Sequence, residues 1–230
     1  MIKTDLHIHS CLSPCADDAL TPTELVRAAV EAGLELIALT DHNSAKNCPA
    51  VAAAAEEAGI GFIPGIEVTT SEEIHCICLF PDLGKAAAFS RWLDSLRPGF
   101  PNRPAIFGRQ TVMGVTGRRT EERELLFMAR RISVTELPAA VRQYRGLIWP
   151  AHVDKPSNSL YAILGCWPED MVADAAELFY EEEPAGIPEK LRRLRCSDAH
   201  RIKDILQFPG CDLPLETPDF EGLKKYLRGE

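Results

Sequence analysis

The spacing of apolar residues in the first third of the chain alternates short apolar runs with helical segments, the pattern of βα units and a parallel sheet. Thr4-Asp5-Leu6-His7-Ile8-His9 alternates, which predicts a strand with Leu6 and Ile8 on one face and Asp5, His7 and His9 on the other. Thr21-Pro22-Thr23-Glu24 follows with a capping threonine, proline at the first helical position and glutamate three on from the cap. The helix that it opens should run to Ala32, closed by Gly33. Leu36-Ile37-Ala38-Leu39-Thr40 is an unbroken apolar run, as expected of a strand buried on both faces, and it delivers Asp41-His42-Asn43. An alanine-rich helix from about Pro49 to Ala58 ends at Gly59, a third strand at Phe62–Ile66 delivers Glu67, and a fourth from Ile74 to Phe80 carries His75.

The middle loses this rhythm. From Pro98 to Thr120 the chain is rich in Pro, Gly and Arg, and reads as an irregular insertion or lid within a single domain spanning 1–230. Regularity returns at Ser133-Val134-Thr135-Glu136, a capping box whose helix ends before Gly146. Leu147–Ala151 then reads as a strand delivering His152. Ala175–Tyr180 and Leu194–Ser197 are weaker strands, the second delivering Asp198 and His200, and Thr217-Pro218 caps a last helix toward Leu227.

Charge and composition narrow the function classes. A hydrophobic fraction of 46% with 26% charged residues is that of an ordinary soluble globular protein. No apolar run approaches the roughly 20 residues that cross a bilayer, and the first residues lack a signal-peptide layout, so a cytoplasmic protein is expected. The net charge of -9 argues against long nucleic acid as a partner, though not against a small basic pocket for one phosphate. The eight cysteines follow no disulfide-scaffold spacing and read as reduced thiols.

The six histidines carry more. Five of them, His7, His9, His42, His152 and His200, lie at or just past the C-terminal end of a proposed strand, and His75 lies near the start of its own. In parallel α/β barrels catalytic groups from several strands collect at that rim. A lone histidine is more often a hydrogen-bonded structural residue than a ligand, but six so placed beside acids point to a metal centre. His7 and His9, two apart on a strand, can grip one cation, and Asp198 with His200 repeats the spacing. Imidazole mixed with the carboxylates of Glu67 and Asp198 suits Zn, Mn or Fe better than Ca or Mg.

These motifs resemble those of the PHP family, named for polymerase and histidinol phosphatase. Asp5-Leu6-His7-Ile8-His9-Ser10 resembles its opening motif and Thr40-Asp41-His42-Asn43 its second. Gly65-Ile66-Glu67, Pro150-Ala151-His152 and Ser197-Asp198-Ala199-His200 resemble the later ones, in order along nearly the whole chain. The resemblance implies a distorted (β/α)7 barrel with its metal site at the C-terminal rim, and a phosphoesterase holding two or three divalent ions. One ion would be held by His7, His9, Glu67 and Asp198, and a second by Glu67, His75 and His152. A third would take His42, His200 and an acid from the first loop. Here the chain departs from the family: in place of Ser-Asp-Gly it has Ser13-Pro14-Cys15-Ala16-Asp17-Asp18, within a Cys-Leu-Ser-Pro-Cys subgroup loop, so Asp17, with Asp18 as the alternative, is the expected ligand.

The implied reaction is attack of a metal-held hydroxide on a small phosphate ester, either a phosphomonoester or a nucleotide or short oligonucleotide. His7, His9, Glu67, Asp198 and His200 would form the catalytic group, with Asp41 behind them. Lys155 and Arg201 are the best-placed cations for the substrate phosphate, and Arg103 and Arg109 could reach down from the lid. If His75 faces the barrel interior, Cys76 and Cys78 face the helices, and Cys196 lines the barrel below the metals. Cys11 and Cys15 sit in the first loop, where packing is the ordinary role. A metal hydrolase of another bond, or a non-catalytic metal-binding regulatory module, are the competing functions.

Overall fold

The computed structural model describes residues 1–229. Strands are β1 (Ile2–Ile8), β2 (Leu36–Leu39), β3 (Gly61–Thr69), β4 (His75–Leu79), β5 (Thr111–Met113), β6 (Arg119–Glu121), β7 (Leu147–Pro150), β8 (Ala175–Leu178), β9 (Arg192–Arg195) and β10 (Cys211–Leu213). The helices that matter to the site are α1 (Pro22–Glu31), α2 (Cys48–Ala58), α3 (Leu83–Asp94), α4 (Pro104–Phe107), α5 (Leu137–Gln143), α6 (Leu160–Leu164), α7 (Ile202–Gln207) and α8 (Phe220–Arg228). Six strands form one curled sheet in the order β10-β1-β2-β3-β4-β7, and β8 pairs with β9 in a parallel ribbon. Single backbone bonds extend the curl: Val153 N–H to Glu177 C=O (2.9 Å) beside β7, and His9 N–H to Ala199 C=O (3.0 Å) beside β1. The result is a mixed α/β fold around a half-barrel sheet.

Inner and outer faces alternate as the pleat requires. Ile63, Ile77, Leu79, Trp149, Ala175 and Leu194 join one buried cluster with Phe220, Leu223 and Leu227 of α8. Ile37, Leu39, Ile66, Val68, Cys76, Cys78 and Ile148 join the other, against residues of α1, α2 and α3. Cys196 belongs to the α8-side cluster with Trp149.

The sequence reading needs several corrections. β4 is antiparallel to both β3 and β7, because a tight turn rather than a helix joins it to β3. This explains the position of His75: the start of an antiparallel strand lies at the same rim as its neighbours' ends, and His75 pairs with Thr69. Leu6 and Ile8 do not share a face, since the β1–β2 register shifts between Asp5 and Ile8 and sends Leu6 to one cluster and Ile8 to the other. Such irregularities beside sites re-aim side chains. The Ser133–Glu136 box forms, with Ser133 Oγ donating to Glu136 at 2.7 Å, but the helix begins only at Leu137. Asp219 rather than Thr217 caps α8, accepting from Gly222 N–H at 2.8 Å.

The region read as irregular holds α4 and the β5–β6 hairpin, and it is tied to the first loop. Thr111 N–H donates to Cys11 C=O (2.8 Å), and the buried Asn47 amide bonds Thr111 and Met113 backbone groups at 3.1 and 2.8 Å. Gly108, at φ 92, lies so close to Pro14 that a Cβ would stand 2.1 Å from the Pro14 oxygen.

Candidate metal centre

The ladder itself assembles the site. A parallel bridge beyond β2 sets His42 beside Glu67, and another sets Ala199 beside Ile8, so that Asp198 and His200 flank His7 and His9. His152 (φ 30) and Asp198 (φ 49) adopt left-handed backbone, uncommon for non-glycine residues and characteristic of functional sites.

Glu67 is the hub. It is 1% exposed, and five imidazole nitrogens stand 2.9–3.4 Å from its two oxygens: those of His7, His9, His42, His75 and His152. Neither oxygen has a hydrogen-bond partner, and neither has His42 Nδ1. Buried carboxylates are almost always satisfied, so lone pairs converging without hydrogen bonds describe a donor set that fits cations. Three groups bring their donor atoms within 4.8 Å of one another: His7–His9–Asp198, His42–Glu67–His75 and His9–His42–His200. His7 and His9 Nε2 are 3.2 Å apart and each lies 3.1 Å from Asp198 Oδ1.

Two relays hold the first imidazoles. His7 Nδ1 bonds Glu177 Oε1 at 2.9 Å, and the other Glu177 oxygen accepts from Trp149 Nε1 at 3.3 Å. His9 Nδ1 bonds Ser13 Oγ at 2.9 Å, and Ser13 donates to Asp41 Oδ1 at 2.7 Å. Asp41 also accepts from the Ser10 N–H (2.8 Å) and hydroxyl (2.6 Å), so both its oxygens are engaged in holding the first loop. Ligating histidines are held this way through the other ring nitrogen. The sequence reading missed Ser13 and Glu177. Ser13 carries no periodic signal, but Glu177 does: it is the one charge inside the buried run Ala175–Leu178.

Protonation follows burial and partners. Burial opposes charging His9, but the neighbouring Asp198 and Glu67 carboxylates outweigh it and raise its pKa to about 9; His7 is likewise held well above its usual value by Glu177, Asp198 and Glu67. Burial dominates at His42 and His200, lowered to about 4 and about 3. Glu67 and Asp198, despite burial, are kept well below the carboxylate range by the surrounding imidazoles.

The predicted cations and loop acid fare differently. Lys155 Nζ donates to Asp198 Oδ2 at 2.5 Å and lines a small cleft with His42, His75 and His152. Arg201 is exposed at the N-terminal cap of α7, and Arg103 and Arg109 are exposed in the insertion. Asp17 and Asp18 are exposed, and neither belongs to a close donor group among the described residues. The Asp17 carboxylate instead accepts from Ala19 N–H at 2.9 Å, closing its own turn. Cys15 is exposed and borders a neighbouring cleft that it lines with His42, His75 and Phe127.

The PHP domain model matches residues 5–137, the stretch that carries His7, His9, His42, Glu67 and His75. The chain belongs to the PHP domain family. It is 39% identical over 102 residues to the 3′,5′-nucleoside bisphosphate phosphatase of Chromobacterium violaceum, covering 43% of this chain and 34% of that one. It is 41% identical over 80 residues to the 5′-3′ exoribonuclease of Haemophilus influenzae, covering 34% of this chain and 28% of that one. The chain thus matches about a third of the length of these curated relatives. The lesion-specific endonuclease of Pyrococcus furiosus, 19% identical, shares the fold with a TM-score of 0.69 over 99% of this chain and 56% of that chain.

Proposed function

We propose that this chain is a metal-dependent phosphoesterase acting on small phosphate esters: phosphomonoesters, nucleotides or short oligonucleotides. The observation that carries the reading is Glu67, buried with both oxygens lacking hydrogen-bond partners inside a ring of imidazoles. His7, His9, Glu67 and Asp198 would hold one ion, and Glu67, His75 and His152 a second, both Zn, Mn or Fe by donor type. His42 and His200, with His9, would hold a third without an acid from the Cys-Leu-Ser-Pro-Cys loop. Bound ions supply a nucleophilic water near neutral pH and draw charge from the phosphoryl oxygens.

The chain's own groups prepare that chemistry. Glu177 and the Ser13–Asp41 pair keep the Nε2 atoms of His7 and His9 turned inward. Lys155, already beside Asp198, offers the incoming phosphate a charge-assisted contact. Arg201 lies farther out and is assigned to the entering substrate. We read the curled sheet together with β8–β9 as the distorted (β/α)7 barrel, with the 98–120 segment as its lid. Eight free thiols and the absence, among the described residues, of any helix long and apolar enough to cross a membrane support a cytoplasmic setting. Relatives named for ribonucleic acid and lesion cleavage mean that the charge of -9 does not by itself separate small from polymeric substrates.

The test is phosphate release from sugar phosphates, nucleotides, nucleoside bisphosphates and short oligonucleotides, with and without Mn or Zn, beside His9→Ala. Metal-dependent release that His9→Ala loses supports the proposal. No release from any of them by metal-loaded protein refutes it and moves the assignment to another bond or a regulatory role.

A further inference from the structure

Where β8 ends, Phe179 and Tyr180 stand 41% and 49% exposed at the rim that carries the metal ligands. Exposed aromatics alone mean little, but the backbone that carries these two is held in place. The Asp154 carboxylate accepts the Phe179 and Tyr180 N–H groups at 2.8 and 2.6 Å, and Arg195 donates to Tyr180 C=O at 2.9 Å. The rings meet edge to face, with centroids 5.1 Å apart. Lys155 Nζ lies 4.0 Å from the Phe179 centroid while bonding Asp198, so one ammonium links the aromatic pair to the ligand group. Phe179 borders a cleft of about 670 Å³ that reaches Ser197, and Tyr180 a cleft of about 590 Å³ that includes Lys155.

We infer that Phe179 and Tyr180 form a stacking subsite for the base of a nucleotide whose phosphate lies at Lys155 and the metal ligands. The inference rests on the phosphoesterase reading and names its substrate class. A phosphate drawn to Lys155 brings its sugar and base alongside the ring that the same ammonium already contacts. Stacking suits this surface because every base has a π-face and an aromatic platform held by backbone bonds loses little freedom on binding. A sugar phosphate without a base would leave both rings in water.

Binding is read by calorimetry on metal-loaded protein with two poorly hydrolysed analogues, adenosine 5′-methylenephosphonate and the base-free ribose 5-methylenephosphonate. The expected preference for the base-bearing analogue is about tenfold or more, equivalent to about 1.4 kcal/mol. Phe179→Ala and Tyr180→Ala, whose folding is checked by melting, should shrink that preference, and Phe179→Trp should restore it. Equal affinity for the two analogues, binding of neither, or a preference that survives both alanine variants overturns the inference. So does self-association by light scattering that Phe179→Ala disperses, since a second copy would then cover the rings. A preference for the base in a protein that cleaves no phosphate ester would leave the subsite standing and refute the phosphoesterase proposal instead.

Discussion

Replacing Glu177 with glutamine changes one buried atom and should weaken the metal centre. Glu177 Oε1 bonds His7 Nδ1 at 2.9 Å and takes the His152 N–H at 3.3 Å, while Oε2 takes Trp149 Nε1–H at 3.3 Å. Glutamine has one oxygen for these two positions. With its oxygen toward His7, its NH2 faces the Trp149 donor, and a buried donor without acceptor costs about 1–3 kcal/mol. With its NH2 toward His7, the imidazole must accept at Nδ1 and carry its proton on Nε2, the atom that faces Asp198 and Glu67. Either outcome weakens a ligand, and losses of this kind run to about 10–100-fold in metal affinity, or about 1.4–2.8 kcal/mol. Competition against a chelator, with Mn or Zn, measures the affinity, and melting of the metal-free protein reports the fold. Trp149→Phe in the same chain removes the opposing donor, so the double variant should recover part of the loss. Affinity within twofold of the wild type for Glu177→Gln would refute the reasoning.

Metal binding at pH 7.5 should release about one proton or more, because His9, raised to about 9, is charged there in the metal-free protein and must be neutral as a ligand. Calorimetry in buffers of different ionisation enthalpy counts them, and release of none would contradict the assignment. Without metal, stability should peak near pH 6.5. His9, raised to about 9, contributes stability that is complete below its unfolded pKa and lost as pH climbs toward 9; His42 and His200, lowered to about 4 and about 3, contribute stability that is lost as pH falls toward 4. A melting temperature flat from pH 4 to 9 would count against both signs. Lys155→Met should raise KM for phosphate esters about tenfold or more with metal retained, checked by steady-state kinetics and elemental analysis; an unchanged KM would remove Lys155 from the phosphate contact. Asp17→Asn should leave metal content within about twofold, since its carboxylate is engaged with Ala19, and loss of an ion would restore it as a ligand.

The six histidines could be read from the sequence because each follows or opens a β-run, and β-runs deliver side chains to a common rim whatever the loops between them do. Glu67 and Asp198 were legible for the same reason. His75 was placed in the site with its strand direction unread, since apolar alternation is the same in parallel and antiparallel strands. Alternation puts Leu6 and Ile8 on one face because a register shift leaves no mark in the pattern of polar and apolar residues. The local bond from Ala19 N–H to the Asp17 carboxylate is not announced by residue type, and such side chain–backbone bonds compete with a more distant role. Ser13 became visible only when the loop folded His9 and Asp41 onto it.

The most direct test of the central claim is phosphate release from adenosine 3′,5′-bisphosphate by chelator-stripped protein as Mn or Zn is added back. The account predicts no release from the stripped protein, recovery that saturates as metal fills the ligands around Glu67, and no recovery in Glu67→Ala. Equal hydrolysis with and without metal, or full recovery in Glu67→Ala, would contradict it.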